Sequence, residues 1–276
     1  MPNKINNQIE QEVIISYNNG YGVMELTEKY GLHRTTIQRV LKRNGVKLRK
    51  RTPTHYNIHF FDEYNEASCY WAGFIAADGY VRSDRSAVTI HLASTDYEHL
   101  LKLAQLTDYE GNVNINNNEC YITFSGKWFQ EALADKFDIY SRKTFDVEIS
   151  EKIPKDMVKH FIRGYFDGDG SVTHTGEYLR INFTSGSKIL LNQIINYIYE
   201  CGIRVRNQTH KPPICKYTVN YNCINAFKVL NILYNESSDQ NRLDRKYQLY
   251  LNEKRIYEDI PIFTQNKDYV NRLVMV

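Results

Sequence analysis

Two aspartates, Asp78 and Asp169, each end a short, mostly apolar run and each precede a glycine. The runs are Trp71-Ala72-Gly73-Phe74-Ile75-Ala76-Ala77-Asp78-Gly79 and Ile162-Arg163-Gly164-Tyr165-Phe166-Asp167-Gly168-Asp169-Gly170. Each reads as a helix with a glycine in its middle and a carboxylate at its C-terminal end. The two copies lie 91 positions apart, and the same offset relates Val81 to Val172, Ile90 to Ile181, Ser94 to Ser185 and Leu100 to Leu191. A chance match would not hold one offset through a helix-strand-helix unit, so the chain contains an internal duplication. Two carboxylates, one from each half of a pseudo-twofold protein, suit a near-symmetric substrate.

The elements that must position these acids follow from the periodicity. After each Asp-Gly the pattern alternates: Val88, Ile90 and Leu92 on one face, Thr89, His91 and Ala93 on the other. Helical spacing returns at Leu100, Leu101 and Leu103. A second hairpin starts at Val113 and Ile115, turns at Asn116-Asn117-Asn118 and returns through Cys120, Ile122 and Phe124. A helix around Lys127 to Phe137 closes the unit. Half two repeats the order through Leu179, Ile181 and Phe183, a helix at Leu190 to Ile195, and a hairpin from Val205 to Tyr221 turning at Pro212-Pro213. Helices around Ile224 to Leu233 and Leu243 to Leu251 follow. The predicted class is α+β, a duplicated αββαββα with antiparallel sheets. One face of each sheet packs on helices, and the other is polar and partly basic.

Two such sheets about a twofold form a saddle that fits a DNA groove. Its candidate contacts are Arg82, Arg85, Thr89, His91, Asn112, Asn114, Tyr121 and Thr123 in half one. In half two they are His174, Arg180, Asn182, Arg204, Arg206, Lys216, Thr218 and Asn220.

Residues 7 to 45 carry a separate helical pattern. Ile9, Val13 and Ile14 mark a first helix, Val23, Leu26 and Tyr30 a second, and Ile37, Val40 and Leu41 a third from His33 to Asn44. Gly31-Leu32 makes the tight turn between the second and third, a helix-turn-helix pattern. The outer face of the third helix presents Arg34, Thr35, Thr36, Gln38, Arg39, Lys42 and Arg43, a set able to reach base edges and phosphates. This module resembles the helix-turn-helix of resolvase and invertase-type recombinases. Lys47, Arg49, Lys50 and Arg51 then precede Thr52-Pro53-Thr54, a basic linker suited to a minor groove.

Net charge is only +3, so nucleic-acid binding rests on where charge lies rather than on its sum. Hydrophobic residues make up 42% of the chain, enough for a large core. The 22 tyrosines combine apolar area with a polar tip. The five cysteines, at 69, 120, 201, 215 and 223, form no CxxC pair, which argues against a cysteine-based zinc site. Their scatter fits reduced thiols in a cytoplasmic protein. No signal-peptide core or membrane-length apolar run is present in the sequence.

The paired runs and the repeat around them resemble the LAGLIDADG homing-endonuclease family over roughly residues 60 to 253. The resemblance implies that the motif helices pack at the centre through Gly73 and Gly164, with Ala76, Ala77 and Gly168 nearby. It implies divalent metal, Mg²⁺ with Mn²⁺ able to substitute, held by Asp78 and Asp169 beside Ala77 and Gly168. It also implies cutting of both strands across the minor groove, with short 3′ overhangs. Lys143 and Lys246 lie where the family supplies a basic residue near the scissile phosphate. Two departures stand out: Ala76 and Asp167 differ at motif position six, and Arg163 replaces a small residue. Asp167 is expected to cap the helix or to pair with Arg163.

The domains read as a helix-turn-helix at 1–46, a basic linker at 47–60, half one at 61–145, half two at 146–253 and a tail at 254–276. The expected protein is a monomeric DNA endonuclease with a long asymmetric target and no protein partner, of the phage or mobile-element kind. The alternative is a non-cleaving transcription regulator or an RNA-splicing maturase on the same fold. Regulators of this build typically lack the acidic pair, whereas a maturase could retain it.

Overall fold

The computed structural model describes residues 6–48, 54–82, 86–141, 145–176, 178–204, 207–211 and 216–258. The chain forms two compact units, residues 1–52 and residues 53–276.

The first unit is α1 (Asn7–Asn18), α2 (Val23–Tyr30) and α3 (Arg34–Arg43). Asn6 caps α1 by accepting from the Gln8 amide, and Gly31 ends α2 at φ 61°. The expected end residues of the third helix, His33 and Asn44, are its caps. Val13, Tyr17, Leu26, Ile37, Val40 and Leu41 form the core. Each such burial favours folding by roughly 1.5–3 kcal/mol before entropy is charged. The nearly buried Glu10 carboxylate pairs with the Arg43 guanidinium. Arg43, itself exposed, therefore links α3 to α1.

The second unit repeats one pattern twice. Half one runs α4 (Glu66–Asp78), β1 (Gly79–Val81), β2 (Ala87–Ala93), α5 (Tyr97–Leu106), β3 (Asn114–Asn116), β4 (Glu119–Ser125) and α6 (Trp128–Phe137). Half two runs α7 (Val158–Asp169), β5 (Ser171–Thr175), β6 (Tyr178–Ser185), α8 (Lys188–Glu200), β7 (Asn207–Lys211), β8 (Lys216–Asn222) and α9 (Cys223–Tyr234). A further helix, α10 (Asp244–Glu258), follows α9. The tail expected to start at 254 is corrected to this extent: its first residues belong to α10, while residues 259–276 lie outside the described residues.

Both sheets are antiparallel and share one order, β1-β2-β4-β3 and β5-β6-β8-β7. Val88, Ile90 and Leu92 face Phe124, Ile122 and Cys120 on the buried side. Ile181 and Phe183 face Tyr221 and Val219 in the same way. The duplication is not exact at the first hairpin. Val81 pairs with Val88, whereas its counterpart Val172 pairs with Ile181, two residues beyond the equivalent position. A slip of two keeps every side chain on its own face, so the core pattern survives it.

Candidate active site and nucleic-acid surface

The site begins where α4 and α7 cross. A Cβ on Gly164 would stand 1.9 Å from the Tyr70 carbonyl oxygen, and one on Gly73 would stand 2.0 Å from that of Phe161. Tyr70 and Phe161 are themselves related by the 91-residue offset, so the two close approaches are one contact made twice. At each of these points only hydrogen fits between the two backbones. Further along, a Cβ on Gly168 would meet the Ala77 Cβ at 2.4 Å and Asp78 Oδ2 at 3.2 Å.

The crossing carries both acids out together. Ala76 and Asp167 are buried, Ala77 and Gly168 half-buried, Asp78 and Asp169 exposed. Two observations put the carboxylates in one neighbourhood. Burial pushes the Tyr165 phenol above its ordinary value, and Asp169 and Asp78 both push it further. Burial pushes the Lys246 ammonium down to about 8, opposed first by Asp167 and also by Asp78 and Asp169. The Tyr165 hydroxyl lies 3.2 Å from Asp169 Oδ2 and 3.0 Å from the Thr184 carbonyl oxygen.

The donor set suits a hard cation. Two exposed carboxylates offer oxygen alone, the chemistry Mg²⁺ prefers. Among the described residues no group of three or more His, Cys, Asp or Glu forms a closed metal cage. An open site that leaves positions for water and phosphate is what two carboxylates provide.

Beneath the acids lies a buried polar hub that the sequence did not disclose. Asp167 is 1% exposed and accepts from the Tyr70 hydroxyl at 2.7 Å, the Leu243 amide at 2.8 Å and the Tyr234 hydroxyl. Burial raises its pKa, while Lys246 and these three donors hold it down. Because Tyr70 donates to Asp167, the His99 Nε2–H must donate to the Tyr70 oxygen, 3.0 Å away. That tautomer leaves Nδ1 as a bare acceptor, matching its lack of a partner among the described residues. Burial also drives the His99 pKa well below its ordinary value, so the ring stays neutral.

Arg163 does not pair with Asp167, contrary to expectation. It donates to Glu66 at 2.8 Å, to the Asn241 carbonyl at 2.7 Å and to the Leu233 carbonyl at 3.1 Å. The large residue is tolerated in the motif because its guanidinium bridges the start of α4 to the chain leaving α9. The expectation for Lys246 also changes. It is 3% exposed, and its ammonium donates to the carbonyls of Phe166, Asp167 and Gly170 at 2.6, 2.9 and 2.6 Å. All three protons are spent on the C-terminal end of α7, where a helix leaves its carbonyls without partners. Lys246 thus fastens the helix end that bears Asp169 rather than facing a phosphate.

Substituting Lys246 by Met keeps most of the unbranched chain and strips three carbonyls and a buried carboxylate of their cation. The expected loss is about 3–5 kcal/mol of unfolding free energy, read from a urea titration. A loss below about 1 kcal/mol would show the ammonium to be dispensable to the fold.

The candidate DNA contacts divide. His91 is exposed and stacks on Tyr121 across β2 and β4 at 5.1 Å. Asn112, Asn114, Arg180 and Arg204 are exposed; Arg82, Thr123, Asn182, Thr218 and Asn220 are half-buried. Arg180 is steadied by Asn222 at 3.0 Å and Asn182 by Ser171 at 2.7 Å. Thr89 is corrected: it is buried in the central strand with its hydroxyl 3.1 Å from that of Thr123. His174 is corrected too. It pairs in register with the buried Leu179, so it lies on the helix side of the sheet, and its Nε2 sits 2.7 Å from Glu253 of α10. The alternation with Val172 already carried that signal.

In the first unit Arg34, Thr35, Arg39, Lys42 and Lys47 are exposed, and Thr36 and Gln38 half-buried. Arg49, Lys50, Arg51, Arg85, Lys143 and Arg206 lie outside the described residues, as does the side chain of Lys216.

A family model described as a LAGLIDADG-like domain matches residues 65–126 and 156–252, more than half of the chain. No curated protein matches. Among solved structures, similarity is found to the I-LtrWI LAGLIDADG homing endonuclease bound to target DNA, at 13% identity over 78% of this chain and 93% of that one, TM-score 0.46. I-DmoI in complex with DNA and Ca is 17% identical over 68% and 94%, TM-score 0.47. The N-terminal LAGLIDADG domain of DUF199/WhiA is 15% identical over 70% and 96%, TM-score 0.45.

Proposed function

The chain belongs to the LAGLIDADG-like family, and on that premise we propose that it is a site-specific double-strand DNA endonuclease whose cutting centre is the Asp78–Asp169 pair. The observation that carries the proposal is the reciprocal glycine crossing, which delivers one exposed carboxylate from each half to one place. A binding protein has no use for two acids facing a polyanion, since they repel phosphate unless a cation lies between.

Asp78 and Asp169 would hold Mg²⁺, or Mn²⁺ in its place, with the carbonyls of Ala77 and Gly168 alongside. Bound there, the metal supplies charge stabilisation at the attacking and leaving oxygens of the phosphodiester. The chain supplies the rest. The backbone crossing fixes the spacing of the carboxylates, and Lys246 fixes the end of α7. The polar sheet faces, with His91 and Tyr121, Arg180 and Asn182, meet the grooves on either side. Short 3′ overhangs are the product that the family resemblance implies. The first unit would lengthen the target through Arg34, Thr35, Gln38, Arg39 and Lys42 of α3, with the basic linker tracking the backbone.

The test is a randomised duplex library incubated with the protein in Mg²⁺, with the new ends sequenced. Discrete double-strand cuts with short 3′ overhangs are expected. Removing residues 1–46 is expected to weaken binding by about one to two orders of magnitude while cutting persists at high protein concentration. Enrichment of bound duplexes without new ends would instead assign the fold to a regulator or maturase.

A further inference from the structure

We propose that Arg180, held in place by Asn222, reads a guanine in the major groove and so sets one base pair of the target. This rests on the DNA-binding part of the reading above and deepens it. Arg180 stands on β6, an interior strand between β5 and β8, with Thr173 and Asn222 as its register partners. Its neighbours Leu179 and Ile181 are buried on the helix side, so Arg180 leaves the middle of the opposite face, where it is exposed. Its Nε–H donates to Asn222 Oδ1 at 3.0 Å. That bond steadies the guanidinium plane and leaves the two Nη groups to donate elsewhere. No ion pair among the described residues claims either of them. Guanine presents O6 and N7 side by side as acceptors in the major groove, and the arginine fork matches both.

The corner that carries Asn222 forgoes helix capping. Asn222 is the N-cap of α9, where an asparagine side chain ordinarily accepts from a helix amide, yet no such bond forms. The next residue, Cys223, sits at φ 51°, a left-handed conformation that residues other than glycine rarely adopt. An uncapped helix start and a left-handed residue both disfavour this corner, and the Asn222 amide spends its oxygen on Arg180 instead. A phosphate contact needs no such holding, because charge alone attracts phosphate and a mobile arm serves as well. A base edge demands a fixed plane, and a fork set beforehand loses less freedom on binding. Half one has no such arm at the equivalent place: Thr89, 91 positions before Arg180, is buried with its hydroxyl on that of Thr123. The guanine therefore belongs to the half-site that the second sheet meets.

The test uses the full chain in EDTA, so that binding is read without cutting. Duplexes retained from a randomised library are sequenced for the wild type, Arg180→Ala and Asn222→Ala. Affinities are then titrated on the preferred duplex and on duplexes carrying each other base pair at the assigned position. The wild type is expected to demand guanine at one position that Arg180→Ala no longer distinguishes, while every other position keeps its preference. Arg180→Ala should weaken the preferred duplex by roughly tenfold or more and the altered duplexes by no more than about twofold. Asn222→Ala should narrow the same preference by about threefold, and should change nothing when added to Arg180→Ala, because it acts only through that arm. A merely structural Asn222 would weaken the double variant further, and alike on every duplex. Uniform weakening by Arg180→Ala, with the preference intact and the salt slope lower by about one, makes Arg180 a phosphate contact and overturns the proposal. A preference that Asn222→Ala leaves untouched overturns the holding role. A wild type that selects this guanine yet never cuts in Mg²⁺ removes the cutting reading and leaves the inference standing; one that retains no duplex removes both.

Discussion

Replacing either Asp78 or Asp169 with Asn is expected to lower double-strand cutting by about three orders of magnitude, the equivalent of roughly 4 kcal/mol of transition-state stabilisation. Asn keeps the shape and one carbonyl oxygen but removes the charge that holds a divalent cation against phosphate. Both side chains are exposed, so the substitution buries nothing. Unfolding free energy should stay within about 0.5 kcal/mol of the wild type. DNA affinity in the absence of metal should hold or rise slightly, because a negative charge facing phosphate is gone. The measurement is strand-resolved cleavage at saturating Mg²⁺, paired with a gel-shift titration in EDTA. Full cutting by either variant would sink the assignment of that carboxylate, and full cutting by both would sink the centre.

Gly164→Ala is expected to dismantle the second unit. Alanine is the better helix former by about 1 kcal/mol, so propensity alone predicts a gain. Packing reverses the sign. The added carbon would sit 1.9 Å from the Tyr70 carbonyl oxygen and 2.8 Å from the Phe74 amide nitrogen. Both are backbone atoms of a helix flanked by core side chains, and neither can move aside alone. The helices would have to separate, opening the crossing and moving Asp78 and Asp169 apart. A cost of more than about 4 kcal/mol is expected, enough to unfold a domain of ordinary stability. Gly73→Ala should behave alike through the Phe161 carbonyl, 2.0 Å away. Thermal melting followed by circular dichroism reads the effect directly. A Gly164→Ala protein that melts with the wild type would mean that α4 and α7 do not cross here.

Strand periodicity alone accounts for some of these placements and not for others. His174 shares its face with Val172, and the period of two in a strand was enough to send it toward the helices. Thr89 has the outward parity of His91 and is still buried, because β2 is an interior strand and Thr123 covers its hydroxyl. No spacing in the chain distinguishes those two residues. Arg163 and Glu66 are 97 positions apart, and Lys246 stands 79 positions from Asp167, so their partnerships have no local signature.

Local and periodic physics made most of this protein legible from its residues. The 91-residue offset, the helix-to-strand change after each Asp-Gly, and the glycines at the helix centres follow from steric and hydrophobic rules that act over a few residues. These fixed the αββαββα repeat and the two exposed acids. What only the tertiary structure decided is how the buried charges are shared out. Asp167, Tyr70, Tyr234 and Lys246 come from four separate stretches of chain and meet because desolvated polar groups must find partners wherever the fold brings them.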